Sequence, residues 1–225
     1  MSKPKTSNDT SATAAHGRVL VLSAPSGGGK STLAQAVMAR TPGIVRSVTY
    51  TTRPRRPGEK DGYDYHFLSR AEFERRRQEG QFLEWASVHG HLYGTSRPDV
   101  ARLCEQGLDV LLVIDYQGAA SLQRQGVDAL YVFILPPSLA ALEQRLQQRN
   151  SDGDAALYTR LANAPTEMTQ YRHYDYVIVN DDQEVATQQL QAIIVADRCR
   201  VSRLDRQYPI FTDLDELIHE RDAGT

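Results

Sequence analysis

A glycine-rich loop between a predicted strand and a predicted helix constrains this chain more than any other feature. The apolar run at 19–22 is followed at 24–31 by A-P-S-G-G-G-K-S, and helix-forming residues come next. Glycines lack a Cβ, so the backbone can bend until its N–H groups point inward, where they and a helix N-terminus bind phosphate oxygens. In this setting the motif predicts a phosphate-binding loop for ATP or GTP.

The residue types in the loop suit the chemistry of a nucleoside triphosphate. We expect Lys30 to reach the β- and γ-phosphates and the Ser31 hydroxyl to coordinate Mg²⁺, which prefers oxygen ligands. The alternative is an ordinary glycine turn before a helix, with a lysine on the surface. The predicted ATP-binding residues of the loop are Ala24, Pro25, Ser26, Gly27, Gly28, Gly29, Lys30, Ser31 and Thr32.

Length and composition narrow the classes of function. The 225 residues suffice for one well-buried α/β domain with insertions, or for two small domains. A formal net charge of −2 argues against a general nucleic-acid-binding protein, which needs a basic excess. Cys104 and Cys199 are too few for a disulfide framework and fit a reducing compartment. Since no apolar run approaches the roughly 18 residues of a membrane span, we expect a cytoplasmic protein with no membrane partner.

Predicted strands and helices alternate along most of the chain, which indicates a parallel sheet flanked by helices. Strands are expected at 18–23, 109–114, 129–135 and 175–179, and helices at about 30–40, 69–80, 96–107, 138–149, 155–171 and 183–199. The segment 48–95 departs from this alternation, because it is polar, aromatic and rich in turn residues. We interpret it as an insert over the carboxyl edge of the sheet, where ligands bind in this fold class.

The insert contains a second candidate phosphate site. Arg53 and Arg56 are three positions apart in a loop rich in proline and glycine, and Tyr63 and Tyr65 follow closely. Paired guanidinium groups with phenol donors suit a dianionic phosphate monoester. An isolated Arg-x-x-Arg pair is more often a solvated loop, so this interpretation depends on the phosphate loop elsewhere in the chain.

The stretch 51–68, T-T-R-P-R-R-P-G-E-K-D-G-Y-D-Y-H-F-L, resembles the guanylate kinase signature at every fixed position. The similarity covers about 18–199. That family transfers a phosphoryl group from ATP to GMP with Mg²⁺, and the resemblance leaves dGMP open as a further acceptor. It implies an α/β P-loop nucleoside monophosphate kinase fold, with a parallel sheet flanked by helices, a mixed α+β GMP-binding insert and a helical lid.

The resemblance also implies a division of the chain. A disordered N-terminal tail is expected at 1–17 and a C-terminal extension at 201–225. Between them lies a guanylate kinase-like domain at 18–200. Its core is expected at 18–48, 96–136 and 167–200, its GMP-binding insert at 49–95 and its lid at 137–166.

The resemblance assigns the acceptor site residue by residue. Glu84 matches the carboxylate that reads guanine. A carboxylate has two acceptors side by side, where guanine presents its N1–H and 2-amino group, whereas adenine presents an acceptor at N1 and leaves polar groups unpaired. The implied GMP-binding residues are Thr49, Arg53, Arg56, Tyr65, Glu84, Tyr93, Gly94, Thr95 and Asp115.

Three arginines are implied as catalytic residues of the lid. Arg145 and Arg149 are four positions apart, so they share one face of a predicted helix, and their like charges indicate an anionic partner. Arg160 follows after a helix break, and a helical hairpin would bring it beside them. With Lys30 these arginines are expected to neutralise the transferring phosphoryl group. The resemblance further implies that Asn180 lies near the ATP adenine.

Two positions differ from the family's usual pattern. Ala24 stands where the phosphate loop often begins with glycine. Val113 stands where many members carry a second carboxylate, two residues before Asp115. Asp115 is therefore a candidate metal ligand as well as a base contact.

Other functions stay open at this point. A related P-loop kinase with another acceptor does not need a guanine-reading acid such as Glu84. A non-catalytic guanylate kinase-like scaffold usually lacks the phosphate loop, whereas Lys30 and Ser31 are intact here. A regulatory GTPase needs an element such as N-K-x-D, which the sequence does not contain.

Overall fold

A five-stranded parallel sheet forms the centre of the molecule. The computed structural model describes residues 16–88, 90–148 and 154–204 and positions 208, 210, 211, 213 and 214, with the backbone alone at 154–157. In spatial order the strands are β2 (Ile44–Arg46), β7 (Asp109–Val113), β1 (Val19–Ser23), β8 (Ala129–Leu135) and β9 (Tyr176–Val179). All neighbours pair in parallel, which confirms the predicted α/β class.

Helices cover both faces of this sheet, which explains why its central strands are apolar at nearly every position. On one face, Leu20 and Leu22 pack with α1 (Lys30–Arg40) and α7 (Gln183–Arg198). On the other face, Val19 and Val21 pack with α3 (Arg97–Glu105) and α4 (Tyr116–Arg124). Since the loops after parallel strands meet at one edge, this arrangement gathers the phosphate loop and the residues after β7 at the carboxyl edge.

The insert forms a small mixed sheet of its own. In spatial order its strands are β4 (His66–Phe67), β3 (Tyr50–Thr51), β6 (His91–Ser96) and β5 (Phe82–Val88). The pair β3 and β4 is parallel, and the other two pairs are antiparallel. Helix α2 (Arg70–Gln78) packs against this sheet through Phe73, whose ring centroid lies 4.4 Å from that of Phe82. The Ser69 side chain accepts a hydrogen bond from the Glu72 N–H, so Ser69 caps the amino end of α2.

Two helices follow β8 and form a hairpin. They are α5 (Leu139–Gln148) and α6 (Asp154–Thr169), which pack through Leu142, Leu146 and Ala164. A 3₁₀ turn at Gln170–His173 then leads to β9. Helix α6 contains Pro165 and runs through position 166, where the sequence predicts the boundary between lid and core. None of the described helices combines the length and apolarity that a bilayer span requires.

The start of the predicted C-terminal extension is fixed to the core by ion pairs. Helix α8 (Val201–Leu204) carries Arg203, which donates at 2.8 Å both to Asp109 at the amino end of β7 and to Asp197 of α7. Arg18, just before β1, also pairs with Asp197, at 2.9 Å. Both carboxylates are buried, and each pairs with more than one arginine, so their charges are compensated within the network. This network lies at the end of the sheet opposite the phosphate loop.

Candidate active site

The phosphate loop joins β1 to α1 at the carboxyl edge of the sheet. Gly27 and Gly29 have φ values of +82° and +97°, in the region that residues with a Cβ rarely adopt. A Cβ on Gly28 would lie 2.8 Å from the Cβ of Ala24. Ala24 therefore fits at the first position because its neighbour across the loop has no side chain.

The Lys30 ammonium is folded back onto this loop. Its Nζ donates to the Ala24 carbonyl at 2.7 Å. Burial lowers the pKa of Lys30, and the nearby charges of Asp115 and Glu167 oppose that shift. The Ser26 N–H donates to Glu167 Oε2 at 3.1 Å, so a carboxylate of α6 already lies against the loop. Ser31 is exposed at the second position of α1.

A cavity of about 520 Å³, here called the transfer cavity, lies between the phosphate loop, the insert and α6. It brings together residues that the sequence analysis placed in three different segments of the chain. The predicted site residues that line it are Ala24, Ser26, Lys30, Arg53, Arg56, Tyr65, Tyr93, Asp115 and Arg160.

Glu59 organises the arginine loop of the insert. Its Oε1 accepts from the Arg53 guanidinium at 2.6 Å, and its Oε2 accepts from the Arg56 N–H at 2.7 Å. The hydrogen bond from Arg53 lowers the pKa of Glu59, so this carboxylate stays ionised. The Arg53 guanidinium lies 5.2 Å from the centroid of the Tyr65 ring, a cation–π arrangement. The loop therefore presents a preorganised cation at the mouth of the cavity.

A second cavity of about 190 Å³, here called the base pocket, adjoins the transfer cavity. The residues that line both cavities are Lys30, Tyr65, Val88, Tyr93 and Asp115. The base pocket is otherwise lined mostly by apolar side chains, and Val113 is one of them. The remaining lining residues of the base pocket are Thr49, Glu84, Ala86 and Ile114.

Glu84 is the buried acid of the base pocket, with 4% of its surface exposed. A register shift in β5 between Phe82 and Glu84 directs this side chain inward, as β-bulges beside active sites do. Thr95 Oγ1 donates to Glu84 Oε1 at 2.5 Å. Burial raises the pKa of Glu84 to about 7; the Thr95 hydrogen bond opposes this and the charge of Asp115 adds to it. Such a shifted acid in a cleft indicates a functional site.

A third cavity of about 260 Å³, here called the outer pocket, lies beside the phosphate loop. Arg145 donates to the Asn180 carbonyl at 2.8 Å, and Asn180 Nδ2 donates to the Gly28 carbonyl at 3.1 Å. Asn180 therefore ties the end of β9 to the phosphate loop. The lining residues of the outer pocket are Gly27, Gly29, Thr32, Arg145, Gln148, Asn180, Asp181 and Gln183.

The structure does not bring all predicted site residues into one cavity. Arg145 lines the outer pocket and Arg160 lines the transfer cavity, so these two arginines lie in different cavities. Arg149 lies outside the described residues. A Cβ on Gly94 would lie 2.9 Å from Phe82 Cδ1, so packing within the insert accounts for this glycine.

Comparison with known proteins now identifies the family. Residues 16–197 match the family model described as guanylate kinase. The chain belongs to the guanylate kinase family. A guanylate kinase from Rhizobium etli is 45% identical over 208 residues, which cover 92% of this chain and 93% of that protein. A guanylate kinase from Symbiobacterium thermophilum is 49% identical over 187 residues, covering 83% and 89%.

A solved structure supports the same family at the level of the fold. The crystal structure of guanylate kinase from Anaplasma phagocytophilum superimposes with a TM-score of 0.67 at 35% sequence identity. The match covers 84% of this chain and 90% of that chain. The guanylate kinase fold therefore extends over the parallel sheet and the elements that line the three cavities.

Sequence reasoning missed several residues that line the transfer cavity. Glu59 occupies a fixed acidic position of the family signature, so a signal for it was present. Asn163 and Glu167 follow Arg160 at helical spacings of three and seven, so they share its face of α6, and Thr166 lies beside them. A signal for this face was therefore present, because the helix predicted around Arg160 places positions three and seven residues later on the same side.

Proposed function

We propose that this protein transfers the γ-phosphoryl group of ATP to GMP and releases ADP and GDP. The observation that supports this proposal most is the position of Glu84. Its carboxylate is buried in the base pocket, which adjoins a cavity lined by the phosphate loop and by two arginines of the insert. Membership of the guanylate kinase family supports the same reaction.

ATP is assigned to the phosphate loop and the outer pocket. The loop N–H groups and Lys30 would bind the phosphates, and the adenine would lie in the outer pocket near Asn180. The Ser26 N–H now bonded to Glu167 indicates that the loop attracts anionic oxygens. A phosphate that reaches this donor has to displace the Glu167 carboxylate, so we expect α6 to move when ATP binds.

GMP is assigned to the transfer cavity and the base pocket. Its phosphate would contact Arg53, Arg56, Tyr65 and Tyr93, which surround one end of the transfer cavity. Its base would enter the pocket where Glu84, once ionised, accepts from the N1–H and the 2-amino group of guanine. The hydroxyls and carboxylate assigned to the rest of the base are those of Thr49, Thr95 and Asp115.

The reaction needs alignment and charge neutralisation more than acid–base chemistry, because the GMP phosphate is already an anion. Lys30 and Arg160 line the cavity where the phosphoryl group would pass, and Arg145 approaches the loop from the outer pocket. Arg149 is assigned to the same task. Closure of the insert and of the α5–α6 hairpin would exclude water and so limit hydrolysis of ATP.

Mg²⁺ fits a site of this kind. Mg²⁺ binds through few protein oxygens, several waters and substrate phosphates, and when bound it neutralises phosphate charge. The Ser31 hydroxyl would hold it, and Asp115 is the second candidate, since only its Oδ1 is used to cap α4. Among the described residues no group of three or more His, Cys, Asp or Glu could hold a metal. We also propose a cytoplasmic location, in keeping with the two free cysteines.

A coupled assay of ADP release with different acceptors tests the proposed function. Purified protein with ATP and Mg²⁺ is given GMP, dGMP, AMP, CMP or UMP in turn. We expect kcat/KM for GMP to exceed that for AMP by about 10³-fold or more, because adenine leaves polar groups of the base pocket unpaired. Turnover of another monophosphate with none of GMP would reject the proposal.

A further inference from the structure

Gly118 lies against the carboxylate of Glu84. It is in the first turn of α4, where its N–H donates to Asp115 Oδ1 at 2.9 Å. A Cβ on Gly118 would lie 2.6 Å from Glu84 Oε2 and 3.2 Å from Glu84 Cδ. The first of these distances is shorter than the contacts that real Cβ atoms make. A side chain at residue 118 would overlap the carboxylate, so Glu84 occupies its present position only with glycine there.

The backbone at Gly118 gives no other reason for glycine. Its φ lies outside the left-handed region, in contrast to Gly27 and Gly29. Within a helix, glycine is less stable than alanine because it loses more backbone entropy. The helix therefore carries an unfavourable residue at a position where it lies against Glu84.

A methyl group at this position has little room to turn aside. The same Cβ would lie 3.3 Å from Ile114 Cδ1, so apolar core closes the second direction. Glu84 itself is held on its other oxygen by the Thr95 hydroxyl. A side chain at 118 would therefore press on Glu84 and strain or break the bond that orients it.

We propose that Gly118 is a specificity-determining residue that positions Glu84. Its missing side chain leaves space for Oε2, while Thr95 holds Oε1, and together they set the orientation in which the carboxylate meets N1–H and the 2-amino group of guanine. The inference rests on the proposed reading of guanine by Glu84. Gly118 is a positioning residue, because it acts through Glu84 rather than on the phosphates.

The first experiment compares Gly118→Ala with the unaltered protein in steady-state kinetics. Displacing Glu84 by several tenths of an ångström should lower kcat/KM for GMP by about 10²-fold, mainly through KM, since misplaced site groups cost about this much. KM for ATP should not change. The preference for GMP over IMP, which keeps N1–H but lacks the 2-amino group, should shrink. Ala120→Ser adds one atom to the same helix at a position outside the three cavities and is the matched control.

A double-mutant cycle with Glu84→Asp separates a steric effect from damage to the helix. Aspartate is one methylene shorter and withdraws from residue 118, so Gly118→Ala should lower kcat/KM by no more than about 3-fold in that background. If Gly118→Ala alone fails to fold, the clash predicts that adding Glu84→Asp restores a cooperative thermal melt. A double variant that stays unfolded, or two effects that simply add, would overturn the inference.

The outcomes distinguish this inference from the proposed function. In one outcome Gly118→Ala folds and leaves the KM for GMP and the preference for GMP over IMP unchanged, while Glu84→Gln lowers kcat/KM for GMP. The positioning role of Gly118 is then wrong, and the proposed function stands. If Glu84→Gln keeps the preference for GMP, the proposed reading of guanine fails, and the positioning role fails with it.

Discussion

The proposed donor and acceptor regions of this guanylate kinase family member would bind phosphate by different means. The phosphate loop is eight contiguous residues, 24–31, and the binding groups proposed for it are mainly backbone N–H groups. The acceptor region takes side chains from the arginine loop, from β5 and β6 and from the end of β7. A site made from backbone is encoded by local conformation, whereas a site made from side chains depends on how distant segments pack.

The two regions also bury opposite charges. In the donor region burial lowers the pKa of the Lys30 ammonium, and in the acceptor region burial raises the pKa of the Glu84 carboxyl to about 7. A cation suits the phosphates that pass between the substrates, while an acid suits the N–H donors of a neutral base. We therefore expect donor variants to change turnover, and acceptor variants to change specificity and the response to pH.

The largest effect is expected from removing the donor cation. Lys30→Met should lower kcat by about 10³-fold or more, because a charge aimed at the transferring phosphoryl group acts mainly in the transition state. KM for GMP should stay close to its normal value. Lys60→Met, on an exposed loop of the insert, is the matched control. If kcat fell by less than tenfold in Lys30→Met, the expectation that donor variants change turnover more than acceptor variants do would be wrong.

The next effect concerns the acceptor acid. Glu84→Gln should lower kcat/KM for GMP by about 10²- to 10³-fold, since its amide offers guanine one acceptor in place of two and adds a misplaced donor. KM for ATP should stay unchanged in this variant. Glu105→Gln, at the exposed end of α3, is the control and should leave both constants unchanged. Equal losses for ATP and GMP would mean that the residue supports the whole site rather than the base.

A smaller effect is expected from pH. In the proposed function guanine binds the ionised form of Glu84, and burial raises the pKa of Glu84 to about 7, so we expect the affinity for GMP to rise with pH. KM for GMP should fall by about tenfold between pH 6 and pH 8 as the carboxyl loses its proton. The phosphate of GMP titrates near pH 6 as well, at about the value of other phosphate monoesters. Glu84→Gln retains that phosphate contribution, so an unchanged pH profile in this variant would contradict the account.

The last effect is on stability rather than on activity. Glu84 has a raised pKa in the folded protein, so its contribution to stability is complete below its ordinary pKa of 4.5 and is lost as pH rises through about 7. This shift of the pKa corresponds to a loss of about 3 kcal/mol, which Glu84→Gln removes, so the melting temperature of the variant should exceed that of the unaltered protein by about 6–12 °C at pH 8. At pH 4.5 the advantage should vanish. Thermal melts that show the same difference at both pH values would contradict a buried, titrating acid.

The core of the fold could be predicted from the sequence because its signals are local. The strand β8 lies at the predicted 129–135 as a continuous apolar run, and α7 begins at the predicted 183, capped by Asp182. Ala24 to Ser31 could be interpreted in the same way, since a backbone site needs only a turn, glycines and a helix start. The seven-residue length of the β8 run, and the prolines that follow it, favour a strand buried on both faces over a buried helix.

The acceptor region could not be predicted to the same degree. In β5 the consecutive residues Phe82, Leu83 and Glu84 are all buried, because a register shift interrupts the alternation that marks a strand. The sequence alone shows Glu84 as an acid near a helix, and its role came from the family resemblance. Helical spacing from Arg160 places Glu167 on the site face of α6, but the contact of Glu167 with Ser26 joins positions 141 residues apart, so the sequence does not predict that contact.

Binding of a bisubstrate molecule tests the central claim, which is that donor and acceptor regions face one another in one continuous site. Adenosine and guanosine joined through their 5′ positions by five phosphates should bind at least about 10²-fold more tightly than ATP or GMP alone, measured by calorimetry. Glu84→Gln should weaken this binding and leave that of ATP unchanged. A molecule that binds no better than ATP, and that does not respond to Glu84→Gln, would contradict the account.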